Sequence, residues 1–235
     1  MDPLLEVRGL RAGYGQRPAI DGVSLIVNPG EVVVMIGHNG AGKTTSLRCI
    51  FGLLDVWAGD VRYKSEQITG RTVVENVRHG IAYMPQEGAL FPQLSVTENL
   101  EMAGFILGPS TGINDRIASV HSLFPILEER AEQKAGTLSG GEQRMLSFGM
   151  ALIPQPTLIL LDEPSLGLAP QIARRLFESV NAVREAMNVS FLIVEQNVKQ
   201  GLNVSDRAYV MKTGRVVLEE DSRVLLERGE WWDLF

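Results

Sequence analysis

One segment limits the possible folds of this chain more than any other: an apolar run that ends in glycine and opens onto a glycine-rich loop. Residues 31–37 read EVVVMIG and residues 37–44 read GHNGAGKT, so Gly37, Gly42, Lys43 and Thr44 fill the pattern G-x-x-x-x-G-K-[ST]. An uninterrupted apolar run is what a strand buried on both faces requires. The residues that follow, TTSLRCIFGL, have a helical pattern. A glycine loop between a strand and a helix turns backbone N–H groups inward, and the helix start adds positive dipole, which together cradle phosphate. The candidate lining is Gly37, His38, Asn39, Gly40, Ala41, Gly42, Lys43, Thr44 and Thr45. Lys43 is placed to reach the outer phosphates, and the Thr44 hydroxyl to ligate Mg²⁺. The competing reading is a glycine turn with an incidental lysine.

Two further apolar runs, PTLILLD (156–162) and VSFLIVE (189–195), also end at polar residues. Apolar runs alternating with helical stretches argue for an α/β fold around a parallel sheet. Ligands of such sheets sit beyond the carboxyl ends of the strands, so the three endings are expected to converge on one site. At the second ending stand Asp162 and Glu163, an acid suited to a Mg²⁺ shell and one suited to accept a proton from water. Taken alone, the pair also reads as a helix N-cap. Residues 88–150 carry helix-favouring runs, SVTENLEMAGFIL and DRIASVHSLFPILEERAEQ, and no strand pattern. LLEVRGLRAGYG and GVSLIVN read as flanking antiparallel strands, and RAYVMKTGRVVLEE as a hairpin about a TG turn.

Composition excludes several classes. A length of 235 residues with 45% hydrophobic content supports one sizeable core. The net charge of −6, with no Lys/Arg cluster, argues against nucleic acid as a partner. Cys49 has no possible disulfide partner within the chain and reads as a buried thiol, which fits a reducing, cytoplasmic setting. No run of eighteen apolar residues occurs, and residues 1–20 lack a signal-peptide pattern.

A second glycine pair lies about a hundred residues beyond the first loop, in LSGGEQR (138–144). Ser139 with Glu142 three residues on forms a capping-box pattern, and the exposed amides of such a helix start also suit an anion. With GHNGAGKT, YMPQ, LSGGEQR, LILLDEP and SLGL in this order and spacing, almost the whole chain resembles the ATP-binding subunits of ABC transporters. That resemblance implies a single domain over 1–235. Residues 1–87 and 151–235 would supply a P-loop core with an antiparallel β subdomain, and residues 88–150 a helical signature subdomain. It also implies that ATP is sandwiched between one subunit's phosphate loop and the signature of a second ATP-binding subunit, with Ser139, Gly140 and Gly141 serving the nucleotide across the interface.

Other positions carry over one at a time. Tyr14 in AGYGQ resembles the aromatic that stacks on adenine, against a reading of local packing. Gln86 in YMPQ resembles the loop glutamine that contacts Mg²⁺ and the lytic water. Leu90, Phe91 and Pro92 fall where the family docks a transporter helix, with core packing the alternative for Phe91. The chain departs from the family at IVEQNV, where Gln196 stands in place of the usual switch histidine; none of His38, His79 and His121 is comparably placed. Glutamine donates an amide hydrogen bond but carries no imidazolium charge, so slower hydrolysis is expected. SLGLAP has Gly167 and Leu168 where alanine or threonine and aspartate are common, which weakens the expected communication across a dimer.

DEPSLGLAP, VEQN and ENLEM look most like the branch that imports branched-chain amino acids or related amides and urea. The resemblance implies permease subunits as partners, indirectly an extracytoplasmic solute-binding protein, and a peripheral location on the cytoplasmic membrane face. A nucleotide-driven chromosome or repair clamp would need a long coiled coil and a basic face; a P-loop kinase would leave LSGGEQR unexplained. The remaining alternative is a nucleotide-binding regulatory partner with weak hydrolysis, favoured by Gln196 and opposed by Glu163.

Overall fold

The computed structural model describes residues 2–87, 89–108 and 112–228. The Trp231–Trp232 pair, expected to pack on the β subdomain or mark a partner surface, lies outside them. The chain opens on antiparallel strands β1 (Leu5–Tyr14) and β2 (Arg17–Val27), then enters the apolar strand β3 (Val32–Ile36). The glycine loop leads into α1 (Lys43–Phe51), followed by β4 (Ala58–Tyr63), β5 (Glu66–Gln67), α2 (Val73–His79) and β6 (Ile81–Met84). Helices α3 (Val96–Gly104), α4 (Ile113–Leu123), α5 (Pro125–Glu129) and α6 (Gly140–Leu152) come next. The remainder is β7 (Leu158–Asp162), α7 (Pro170–Met187), β8 (Ser190–Glu195), α8 (Val198–Val204), β9 (Arg207–Lys212), β10 (Arg215–Asp221) and α9 (Ser222–Arg228).

Two sheets result. The larger has the order β10-β9-β3-β8-β7-β6 and is parallel except at the β9–β10 hairpin. The smaller, β2-β1-β4-β5, is antiparallel throughout. The expected α/β class and antiparallel flank are both present. So is the TG turn, where Thr213 and Gly214 take φ of 48° and 77°, as a tight hairpin needs. The sequence patterns do not single out β4, β5 or β6, because β4 is largely exposed, β5 has two residues and β6 four.

β3 explains how the layers assemble. Successive side chains on a strand point to opposite faces. Val32, Val34 and Ile36 join a core with Leu100, Phe148, Ile159 and Ile193, whereas Val33 and Met35 join one with Leu5, Leu47, Ile50 and Leu192. The parallel sheet is therefore covered on one side by the helices after β6 and on the other by α1 and the antiparallel sheet. Fully burying each Val or Ile contributes roughly 1.5–3 kcal/mol, which is why VVVMI tolerates no polar residue on either face.

Between residues 88 and 150 the described residues hold helices and one isolated bridge, Ser95 to Lys134, but no strand. α6 runs through residue 150 to Leu152. The run DRIASVHSLFPILEERAEQ divides into α4 and α5 because proline restricts the residue before it; Phe124 sits at φ −131°, ψ 75°. Phe91 is not a core residue: it is 46% exposed, while neighbouring Leu90 packs against the helical core. No helix among the described residues is long and apolar enough to cross a membrane.

Candidate functional site

The loop leaving β3 closes through Gly42, which caps α1 at φ 101°. A Cβ there would lie 2.6 Å from Ile20 Cγ2 and 2.9 Å from Ala19 O, so glycine is required both by the left-handed backbone and by the contact with β2. First-turn amides of a helix have no intrahelical acceptor; the Ser46 N–H is the one that bonds back, to Gly42 O at 2.9 Å. Residues 43–45 therefore present the donors, backed by the helix dipole, that a phosphate uses. Ala41, Lys43 and Thr45 are buried, and His38, Asn39 and Gly40 form the exposed rim.

Three strand ends meet here, as expected. The Lys43 ammonium, 4% exposed, donates to Gly37 O at 2.8 Å and His38 O at 3.2 Å, and lies 3.5 Å from a Glu163 carboxylate oxygen. The Thr44 hydroxyl donates to Asp162 Oδ1 at 2.8 Å. From β6 the Tyr83 hydroxyl donates to the other Asp162 oxygen, also at 2.8 Å. Burial, with the Asp162 charge beside it, holds the Tyr83 phenol above its usual range, which keeps it a donor. Asp162 and Glu163 do not cap a helix: α7 begins only at Pro170, after Ala169. Instead Glu163 leaves the strand at φ +46°, with its N–H bonded to Val194 O at 2.9 Å.

At the end of β8, Glu195 is buried and Gln196 exposed. Glu163, Glu195 and Gln196 line one cavity of about 300 Å³ together with Ser165 and Gly167. Gln86, Gly140 and Arg144 line an adjacent cavity of about 290 Å³, and residues 166–168 border both. At the start of α6 the capping box is formed: Ser139 Oγ accepts the Glu142 N–H at 3.4 Å, and Glu142 Oε2 accepts the Ser139 N–H at 2.8 Å. Those bonds hold the Glu142 carboxyl below the usual range. Ser139 and Gly140 are exposed and Gly141 half-buried. Tyr14 is 50% exposed, its hydroxyl accepting from Arg48 Nη1 at 3.2 Å.

Tyr83, Arg48 and Glu195 are the residues at this site that pattern reading misses. Tyr83 had a faint signal, an aromatic beside the YMPQ turn, whereas Arg48 looks like any surface cation. Thr44 and Asp162 together present a hydroxyl and a carboxylate, hard oxygen donors of the kind Mg²⁺ takes in small number beside phosphate oxygens and water. No cluster of three or more His, Cys, Asp or Glu suited to hold a metal by itself occurs among the described residues.

A phosphate cradle at one strand end facing an acidic pair at another places the molecule among P-loop nucleotide hydrolases. A family model described as ABC transporter matches residues 20–166. The high-affinity branched-chain amino acid transport ATP-binding protein BraG of Pseudomonas aeruginosa is 44% identical over 222 residues, 94% of each chain. The corresponding LivG protein of Escherichia coli is 32% identical over 228 residues, 90% of this chain and 89% of the relative. Among solved structures, the ADP conformation of MJ1267, an ATP-binding cassette of an ABC transporter, has a TM-score of 0.88 at 28% identity, covering 100% of this chain and 98% of that one. The dimeric post-hydrolysis cassette MJ0796, bound to ADP and Pi, shares the fold with a TM-score of 0.81 at 24% identity over 93% of this chain and 99% of that one. This chain belongs to the ABC transporter ATP-binding family and is an ATP-binding ATPase.

Proposed function

We propose that this chain is the ATP-hydrolysing subunit of an importer for branched-chain amino acids or related small amides, seated on permease subunits at the cytoplasmic membrane face. The 44% identity to BraG across nearly the whole chain carries the reading. A second ATP-binding subunit pairs head to tail with it, and an extracytoplasmic solute-binding protein delivers the solute to the permease. An apolar groove of about 500 Å³, lined by residues including Phe51, Leu53, Val77, Ala103, Ile106 and Met150, supports docking of a permease helix. The exposed Phe91 is not among its lining residues.

In this reading Tyr14 stacks on adenine, and the amides of residues 39–45 with Lys43 hold the phosphates. Thr44, Asp162 and Gln86 would hold Mg²⁺, which would supply positive charge against the phosphates. Ser139, Gly140 and Gly141 reach the ATP of the partner subunit. Lys43 lies 3.5 Å from Glu163, so the lysine that binds the γ-phosphate and the carboxylate that accepts a proton from the attacking water stand side by side. Gln196 donates its amide to the phosphate without the charge a histidine would add.

Glu163→Gln tests this. Turnover of Mg-ATP should fall at least about 100-fold, the low end of general-base contributions, while ATP still binds. Unchanged turnover would sink the assignment of the base. Light scattering of the same variant with Mg-ATP then reads the pairing. A shift from monomer to dimer means the chain completes its own site, whereas a bound monomer means the signature serves a different subunit.

A further inference from the structure

Glu195 is an acid the catalytic reading does not use, and it is costly where it stands. Glu195 is 2% exposed; the half-buried Arg144 feels its charge, but none of the salt bridges among the described residues reaches it. Burial holds it above the usual carboxyl range, with the neighbouring Glu163 charge acting in the same direction. What it does instead is accept from two loops. Oε1 takes the Ser165 N–H at 3.1 Å and Oε2 takes the Asn197 N–H at 3.4 Å. Ser165 lies in the loop that follows Glu163, and Asn197 follows Gln196 and caps α8. Behind it, α8 approaches so closely that a Cβ on Gly201 would sit 3.4 Å from the Glu195 Cβ and 2.9 Å from Val34, which leaves the strand end no room to withdraw. A serine or threonine hydroxyl would satisfy one of these N–H groups with a far smaller desolvation cost. Only a forked acceptor reaches both.

We infer that Glu195 is a positioning residue of the ATPase reaction: its two carboxylate oxygens clamp the loop after Glu163 and the Gln196 loop to each other, holding both at one spacing around the attacking water. The inference rests on the reading of Glu163 as the base. The two loops border the same cavity of about 300 Å³, so a slip at either end of the clamp moves Glu163 relative to Gln196. The phosphate cradle, built on β3 and α1, is untouched by such a slip.

Glu195→Gln, in the full-length chain, keeps the shape but replaces one acceptor oxygen with an NH₂ that faces an N–H donor, releasing one loop. The expected result is a loss of kcat of roughly tenfold or more, the scale of a small misplacement of catalytic groups. The KM for Mg-ATP and the affinity for methylanthraniloyl-ATP should stay within twofold. An unchanged kcat, or a loss of nucleotide affinity as large as the loss of kcat, overturns the clamp. If Glu195→Gln does not fold, Glu195→Asp, which withdraws the fork by one methylene, is read in the same way. Glu163→Gln runs in parallel. If that variant keeps its turnover, the base assignment falls and the clamp with it; if it loses turnover while Glu195→Gln does not, the clamp alone falls.

Discussion

Glu163 occupies the left-handed backbone region at φ +46°, a conformation that costs a non-glycine residue about 1–2 kcal/mol. The cost has a geometric return. Asp162 is the last residue of β7, and continuing the strand would send the next side chain to the opposite face. The left-handed turn, pinned by Val194 O, instead brings Glu163 within 3.5 Å of Lys43 on the same side as Asp162. The acidic pair was visible in the sequence, but its turn was not, since backbone strain leaves no residue-type signature when the residue is not glycine. Cys49 makes the complementary point. It was read as a buried thiol from its apolar neighbours, and burial, aided by the Asp55 charge, pushes it up to about 12. The unfolded chain, with a thiol near about 8.5, loses that proton first, so stability falls as pH rises from about 8.5 towards 12. At pH 8 the native protein should react with Ellman's reagent roughly a thousandfold more slowly than the chain in urea. Similar rates would place the thiol at the surface.

Helix starts carry both stability and the signature. Thr72–Glu75, Ser95–Glu98 and Ser139–Glu142 each close a reciprocal capping box, a pattern legible in sequence because both partners lie within one turn. Ser139→Ala and Ser95→Ala should each cost about 1 kcal/mol in urea unfolding. Only Ser139→Ala should also lower turnover in the assembled complex, because Ser95 caps α3, away from the predicted phosphate contact. Equal turnover in both would reduce Ser139 to a cap. The division between α4 and α5 rests on the equally local Pro125, although the run was read as one helical stretch; the short strands β5 and β6 were not legible, because two and four residues hold too few periods to show alternation.

At the scale of the molecule, one guanidinium joins the two sheets. Arg207 on β9 donates to both Glu31 carboxylate oxygens at 2.8 and 2.9 Å, to Ile26 O on β2 at 3.0 Å and to Glu219 on β10. Tyr209, to which it also donates, accepts the Ile26 N–H at 3.0 Å. Removing one partner of a largely buried pair strands the other, so Arg207→Ala should cost about 3 kcal/mol and lower Tm by roughly 9 °C. A shift under about 2 °C, less than one kcal/mol at this size, would mean that this guanidinium adds little to what apolar packing and the other polar links, such as Arg215 to Asp21, already hold. What the sequence determined by itself was whatever contiguous residues encode: the phosphate loop, the acidic pair, the capped signature helix, the hairpin, and through their order the α/β class. Steric and hydrogen-bond rules within a few residues suffice for each. What only the tertiary structure decided was which of these face one another. Thr44 and Asp162 are separated by 118 positions, Tyr83 and Asp162 by 79, and Ser165 and Glu195 by 30. Their contacts follow from the strand order β3-β8-β7-β6, and strand order is settled by the packing of whole layers rather than by any local pattern.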